Sequence, residues 1–186
     1  AVVPNFLIQK ELSGSIKVAL NGSGGDEIFA GYRRYFLLNI EHKFMWLPKI
    51  MQRALLEALD RLSPMTSFRL RRAEKFNAQP GQYLCDHTGH FPEPMLRMIG
   101  NTMLTSKSAQ QAAFEGASGS HQTRMLTADL KTYLPDDLMH LLDRTSMAVG
   151  IEGRVPFLDH LLVEAALGVP PEIRTKNMRQ KALLRE

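Results

Sequence analysis

The residues with the clearest capacity for chemistry are Asn21-Gly22-Ser23-Gly24-Gly25-Asp26-Glu27. Glycines at 22, 24 and 25 let the backbone take positive φ and approach a ligand closely. Asp26 and Glu27 follow at the start of a helical pattern, where the positive end of the helix dipole favours carboxylates. An apolar run, a glycine loop and a helix start together form an anion cradle, and phosphate is its usual occupant. Asp26 at the rim suits Mg²⁺, which binds through one or two carboxylates together with phosphate oxygens. The loop ends Gly-Asp-Glu, so it is not a Walker loop, and its glycine spacing is not that of a dinucleotide fingerprint. Two other readings stay open on spacing alone: a nucleophile elbow with Ser23 at its apex, and a tight turn that binds nothing.

A second group lies between Thr127 and Glu164. Asp143-Arg144 and Glu152-Gly153-Arg154 place acid–base couples in an apolar stretch, where buried charges are costly unless paired. They form either a structural ion-pair network or a wall in which arginine clamps a phosphate or carboxylate and the acids orient it. Beyond it, Arg174, Lys176, Arg179, Lys181 and Arg185 make the end of the sequence basic.

Other donors are weaker candidates. Cys85, Asp86, His87 and His90 are zinc-binding types, but their spacing matches no standard site and no second ligand pair follows. Arg69, Arg71, Arg72 and Lys75 read as a solvated helix face, because the run is short and carries no interleaved aromatics. The formal net charge of +4 is mild and suits an anionic small molecule as well as it suits nucleic acid; nucleic acid is not expected as a partner. No apolar run approaches the roughly 20 residues of a membrane span. A single cysteine excludes an internal disulfide framework and suits a reducing cytoplasm.

These groups need elements to hold them. Ile16, Val18 and Leu20 predict one buried strand at about 16–20, leading into the glycine loop. Such a strand needs parallel neighbours, and no second strand is evident in the rest of the sequence. The expectation is a segment of a larger protein whose remaining strands lie upstream. Pro4 to Leu12 predicts a short helix, with Phe6, Leu7 and Leu12 inward. Ile28 to Met45 predicts a helix interrupted at Gly31. Lys49 to Leu62 predicts an amphipathic helix with Ile50, Met51, Ala54, Leu55, Ala58, Leu59 and Leu62 on its apolar face. Pro92-Glu93-Pro94 reads as a turn, Met95–Met103 as a short helix and Gly116–Ser120 as a loop. Leu134-Pro135-Asp136-Asp137 starts another helix, with Leu138, Leu141, Leu142 and Met147 or Ala148 as its apolar face.

Two stretches resemble a known family. Val18 to Tyr35, through Ser23-Gly24-Gly25-Asp26-Glu27-Ile28-Phe29-Ala30-Gly31-Tyr32, is similar to its Ser-Gly-(Asp/Glu)-Gly-Gly-Asp-Glu-Leu-Phe-Ala-Gly-Tyr motif. Tyr133 to Leu138, Asp143 to Ala148 and Glu152-Gly153-Arg154-Val155-Pro156-Phe157-Leu158-Asp159 resemble its second motif, and Lys181-Ala182-Leu183-Leu184-Arg185 its Lys-x-x-Leu-Arg. The family is that of the glutamine-hydrolysing asparagine synthetases and their relatives, β-lactam synthetases included. The resemblance implies a mostly helical part of an α/β ATP-pyrophosphatase-type synthetase domain. Within it, residues 1–35 hold the strand, loop and helix start, 36–123 a variable helical region and 124–186 the second motif.

The resemblance further implies that ATP and Mg²⁺ are used to adenylate the carboxylate of aspartate or a relative. Ammonia from a glutaminase domain then displaces AMP. Gly22, Gly24, Gly25, Asp26, Glu27, Arg144 and Lys181 would line the pyrophosphate side, with Asp26 as the metal ligand. Ser23, Glu152, Arg154 and Lys181 would be the catalytic set, and a homo-oligomer is compatible. The family's Ser-Gly-Gly-x-Asp-Ser loop, its glutaminase domain and a lysine after Lys-x-x-Leu-Arg are not in this sequence, so the segment is not expected to turn over alone. Asn21 and Ser23 depart from the motif: Ser is usual at the first position, and Asp, Glu or Tyr at the second. Leu141 stands where many members have Lys. Serine is a poor base at neutral pH, so the departures bear on which carboxylate is used. A non-catalytic helical binding or regulatory module and a serine hydrolase using Ser23 are the alternatives.

Overall fold

The computed structural model describes residues 2–37, 39–88 and 109–185. The Pro92–Pro94 turn, the Met95–Met103 helix and His90 lie outside the described residues. Helix α1 (Val2–Leu12) leads into strand β1 (Val18–Leu20). The glycine loop follows, then the single turn α2 (Gly25–Ile28) and a 3₁₀ turn at Arg33–Tyr35. Helices α3 (Asn39–Met45), α4 (Lys49–Leu62), α5 (Pro64–Ala78), α6 (Pro80–Thr88) and α7 (Ala109–Glu115) come next. Helix α8 (His121–Lys131) continues through a π-helical turn, Leu134–Met139, into α9 (His140–Met147). Strand β2 (Glu152–Arg154), α10 (His160–Gly168), α11 (Pro171–Arg174) and α12 (Ala182–Arg185) complete the order.

The strand reading needs two corrections. β1 has a parallel partner, β2, in the register Val18–Glu152, Ala19–Gly153, Leu20–Arg154. The sequence hides β2 because Glu-Gly-Arg has none of the β-branched or aromatic residues that mark a strand. Nor is β1 buried: Val18 is 42% and Leu20 76% exposed, since β2, its one partner among the described residues, leaves most of both faces uncovered. Of the interrupted helix expected over Ile28–Met45, only the second part forms, as α3 (Asn39–Met45). Ala30 takes φ 51° and the chain breaks into a 3₁₀ turn before α3 begins.

Two helix faces differ from the hydrophobic pattern. On α4, Gln52 and Leu56 are buried, whereas Ile50 (85%) and Leu62 (83%) are exposed. Gln52 turns inward because its amide caps the end of α3, donating to the Leu47 carbonyl at 2.8 Å and the Met45 carbonyl at 3.4 Å. On α9, Leu142, Thr145 and Ser146 are buried, and Met147 is exposed. On α1, Leu7 and Leu12 are exposed and Gln9 is buried. The basic face of α5 is engaged within the chain: Arg71 pairs with Asp60 at 2.6 Å, and Arg72 lies over the Tyr83 ring.

The core relevant to the loop has two parts. Tyr35, Phe36, Tyr83, Leu84, Phe114, Met125 and Leu126 pack between the 3₁₀ turn, α6, α7 and α8. Ile28 and Phe29 pack with Ala166 of α10, and Phe157 and Leu183 close over them.

Candidate functional site

The parallel pairing of β1 with β2 brings the two sequence motifs together. Both strands end at the same edge, so the glycine loop after Leu20 lies beside the Val155–Leu158 segment after Arg154. The C-terminal edge of parallel strands is where loops gather to form ligand crevices in α/β sheets. The Asn21 N–H donates to the Arg154 carbonyl at 2.7 Å, carrying the ladder one step into the loop.

The glycines are required by this close approach. Gly24 has φ 89°, and a Cβ there would lie 2.2 Å from Leu158 Cδ2. A Cβ on Gly25 would lie 3.2 Å from the Phe157 ring. Phe157 also meets Phe29 edge-on, with centroids 5.8 Å apart, which seats α2 against the second motif. Gly22 is exposed.

Asn21 and Ser23, the two departures from the family motif, interact with each other. The Asn21 side-chain oxygen accepts from the Ser23 N–H at 2.8 Å and the Ser23 hydroxyl at 2.6 Å, an Asx turn. The hydroxyl proton therefore points at an amide oxygen, which cannot take it as a base. No histidine is hydrogen-bonded to Ser23 among the described residues, so the geometry of a nucleophilic serine is not formed. His160 lies elsewhere, at the start of α10, where Asp159 accepts from the Leu161 and Leu162 N–H groups and caps the helix.

Asp26 and Glu27 are adjacent but face opposite ways. Asp26 is half-buried and pairs with Lys181 Nζ at 3.0 Å. Beneath the pair is Gly31: a Cβ there would fall 1.7 Å from Asp26 Oδ1 and 2.6 Å from Lys181 Cε. Glu27 turns into the protein, 1% exposed, and accepts from the Tyr32 hydroxyl at 2.9 Å. Burial raises the Glu27 carboxyl above its ordinary value, and the Tyr32 hydrogen bond only partly offsets this. Burial and the facing Glu27 push the Tyr32 hydroxyl well up.

The remaining sequence candidates are more open. Glu152 and Arg154 alternate on β2 and so project on one face, joined at 2.8 Å and each more than half exposed. The expectation that these charges are buried is therefore corrected: the short sheet leaves that face in solvent. Asp143 and Arg144 are exposed on α9, and no ion pair joins Arg144 to the loop among the described residues.

The buried charges are others. Asp129, fully buried on α8, pairs with Arg34 Nη2 at 2.7 Å and accepts from Gln110 Nε2 at 2.6 Å and from the Tyr35 hydroxyl. The Arg34 guanidinium lies 4.1 Å from the Tyr32 ring centroid and 4.7 Å from that of Tyr133. This cluster fixes the turn after α2 to α8 and to the π-helical turn. Arg174, also fully buried, donates to the Ala166, Leu167 and Val169 carbonyls and satisfies the end of α10. Burial lowers its pKa. The sequence contains Arg34 and Asp129, but 95 positions separate them and no local spacing joins them.

Among the described residues, no group of three or more His, Cys, Asp or Glu side chains is placed to hold a metal. No described helix is long and apolar enough to cross a membrane. Cys85 is half-buried on α6 and is in no disulfide.

The chain matches the asparagine synthase family model over residues 1–186. It is 28% identical over 200 residues to asparagine synthetase [glutamine-hydrolyzing] 1 of Bacillus subtilis, covering 100% of this chain and 30% of that protein. It is 29% identical over 191 residues to a putative asparagine synthetase [glutamine-hydrolyzing] of Mycobacterium bovis, covering 100% of this chain and 29% of that protein. The human asparagine synthetase [glutamine-hydrolyzing] is 56% identical over 45 residues, 24% of this chain and 8% of that protein. The chain thus spans less than a third of the length of these relatives. No solved structure matches it.

Proposed function

The chain belongs to the asparagine synthase family, and from that premise we propose that it is a segment of an ATP-dependent, amide-forming synthetase with an ATP-pyrophosphatase-type fold. The observation that carries this reading is the meeting of three motif segments at one edge. Gly24 and Gly25 pack under Leu158 and Phe157, and Asp26 pairs with Lys181 at 3.0 Å.

On this reading the glycine loop and Lys181 bind the polyphosphate of ATP. A single carboxylate does not make a metal cage, but Asp26 fits Mg²⁺ whose other ligands are phosphate oxygens and water. Mg²⁺ would neutralise charge on the departing pyrophosphate. An oxygen of the substrate carboxylate attacks the α-phosphorus, the bond to pyrophosphate breaks, and a mixed anhydride with AMP forms. Ammonia then attacks the carbonyl carbon and AMP leaves with the carboxylate oxygen. Lys181 stabilises the growing negative charge. Glu152 and Arg154, on the sheet edge beside the loop, would orient the carboxylate substrate. The relatives' names support glutamine as the nitrogen source and make aspartate the first carboxylate to test. Ser23 occupies the position where a base is usual, so related carboxylates are tested beside aspartate.

Transfer of ¹⁸O tests the chemistry in the full-length protein. With a doubly ¹⁸O-labelled carboxylate substrate, the product AMP should carry one ¹⁸O. Label in pyrophosphate or phosphate, or AMP free of label, would overturn adenylation.

A further inference from the structure

Lys181 is not delivered to Asp26 by regular structure. It takes φ 52°, in the left-handed region, immediately before α12. The preceding stretch, Lys176 to Gln180, is exposed and contains two more left-handed residues, Asn177 and Met178, each at φ 55°. Left-handed conformations of residues other than glycine persist only where surrounding contacts hold them. The contact next to Lys181 is Gln180, whose Nε2 donates to the Gly31 carbonyl at 2.5 Å across 149 positions of sequence.

Gly31 therefore connects the two segments. Its N–H donates to the Asp26 carbonyl at 2.8 Å, its carbonyl accepts from Gln180, and its missing Cβ leaves the space in which Asp26 and Lys181 meet. On the other side of Lys181, Ala182 is buried and Leu183 packs against the Ile28–Phe29 cluster. Lys181 is thus flanked by apolar packing after it and by the Gln180–Gly31 hydrogen bond before it.

We propose that Gln180 is a positioning residue: its side-chain amide, anchored on the Gly31 carbonyl, holds Lys181 over Asp26 so that both face one phosphate group of the nucleotide. This rests on the role proposed above for Lys181. Gln180 touches no reacting atom, so its effect passes through Lys181 and disappears when Lys181 is gone.

Equilibrium binding of Mg·ATP to the full-length protein tests this and does not require turnover. Gln180→Ala should weaken Mg·ATP binding by about three- to tenfold, the factor that one hydrogen bond of ordinary strength carries. The melting temperature should fall only slightly, by what one hydrogen bond to the Gly31 carbonyl carries, and the variant should remain folded under the binding conditions. Gln180→Glu, the same size but with an acceptor against the Gly31 carbonyl, should weaken binding at least as much. In a Lys181→Met background Gln180→Ala should have no further effect. Equal weakening in both backgrounds, or none beside intact Lys181, would overturn the proposal while leaving the role of Lys181 standing. Unchanged Mg·ATP binding by Lys181→Met would overturn that role and the Gln180 proposal with it.

Discussion

Replacing Gly31 by alanine adds one methyl group at the point where Asp26 and Lys181 meet. The added Cβ would lie 1.7 Å from Asp26 Oδ1, so that oxygen must retreat by about 1.7 Å to regain an ordinary contact of 3.4 Å. The Lys181 Cε, 2.6 Å away, must also yield. Both side chains have other rotamers, and Asp26 and Lys181 are 35% and 28% exposed, so the change is accommodated by opening the pair. The stability cost has two parts: about 1–3 kcal/mol for overpacking a buried position, and no more than about 1 kcal/mol for an ion pair with this much solvent contact. The functional cost is larger, because misplacing a reacting group by about 1 Å costs on the order of 10²-fold in rate. Gly31→Ala should therefore fold, with unfolding free energy reduced by about 1–4 kcal/mol, and lose about 100-fold or more in carboxylate-dependent pyrophosphate release. Gly14→Ala, where a Cβ meets nothing within 4 Å, is the control and should leave both unchanged. Gly31→Ala with pyrophosphate release within twofold of the unaltered protein would refute the claim that this pair is the working end of the loop.

Two further predictions concern the buried charges. Asp129→Ala removes the partner of Arg34 from a fully buried site and should lower the unfolding free energy in urea by about 3–5 kcal/mol; a loss below about 1 kcal/mol would show that the cluster does not tie the post-loop turn to α8. Because the folded-state pKa of Glu27 lies above the ordinary 4.5, the folded state binds its proton more tightly than the unfolded chain. The stability this contributes is present below pH 4.5 and is lost as pH rises through the folded-state value. Glu27→Gln keeps an acceptor for Tyr32 and should remove this dependence, so urea midpoints from pH 4 to 8 should show the variant gaining on the parent as pH rises; a variant that loses ground with rising pH would contradict the placement of Glu27.

What the sequence discloses depends on whether the signal is local. The glycine loop was readable because Gly22, Gly24 and Gly25 lie within four residues, and the structure gives Gly24 and Gly25 close neighbours. Helix boundaries at Lys49–Leu62 were also readable, since Pro48 and Ser63-Pro64 bracket an uninterrupted run. The inward face of that helix was not, because Gln52 serves the carbonyls at the end of α3 and turns the buried side away from the apolar stripe. β2 escaped notice because strand pairing depends on backbone, and Glu-Gly-Arg has no side-chain pattern of burial. The Arg34–Asp129 pair and the Gln180–Gly31 bond join residues 95 and 149 positions apart, separations that no periodicity spans. The resemblance places Asp26 and Lys181 on the same pyrophosphate side without saying that they touch. Their contact at 3.0 Å is what the structure adds.

The most direct test of the account is carboxylate-dependent pyrophosphate release by the full-length protein and its Asp26→Ala and Lys181→Met variants, with ATP, Mg²⁺ and aspartate or a related acid. Release should require the acid in the unaltered protein and fall by about 100-fold or more in each variant, as expected for loss of a charged group that stabilises a developing anion. Release that survives both substitutions unchanged would place the phosphate chemistry elsewhere and contradict the account.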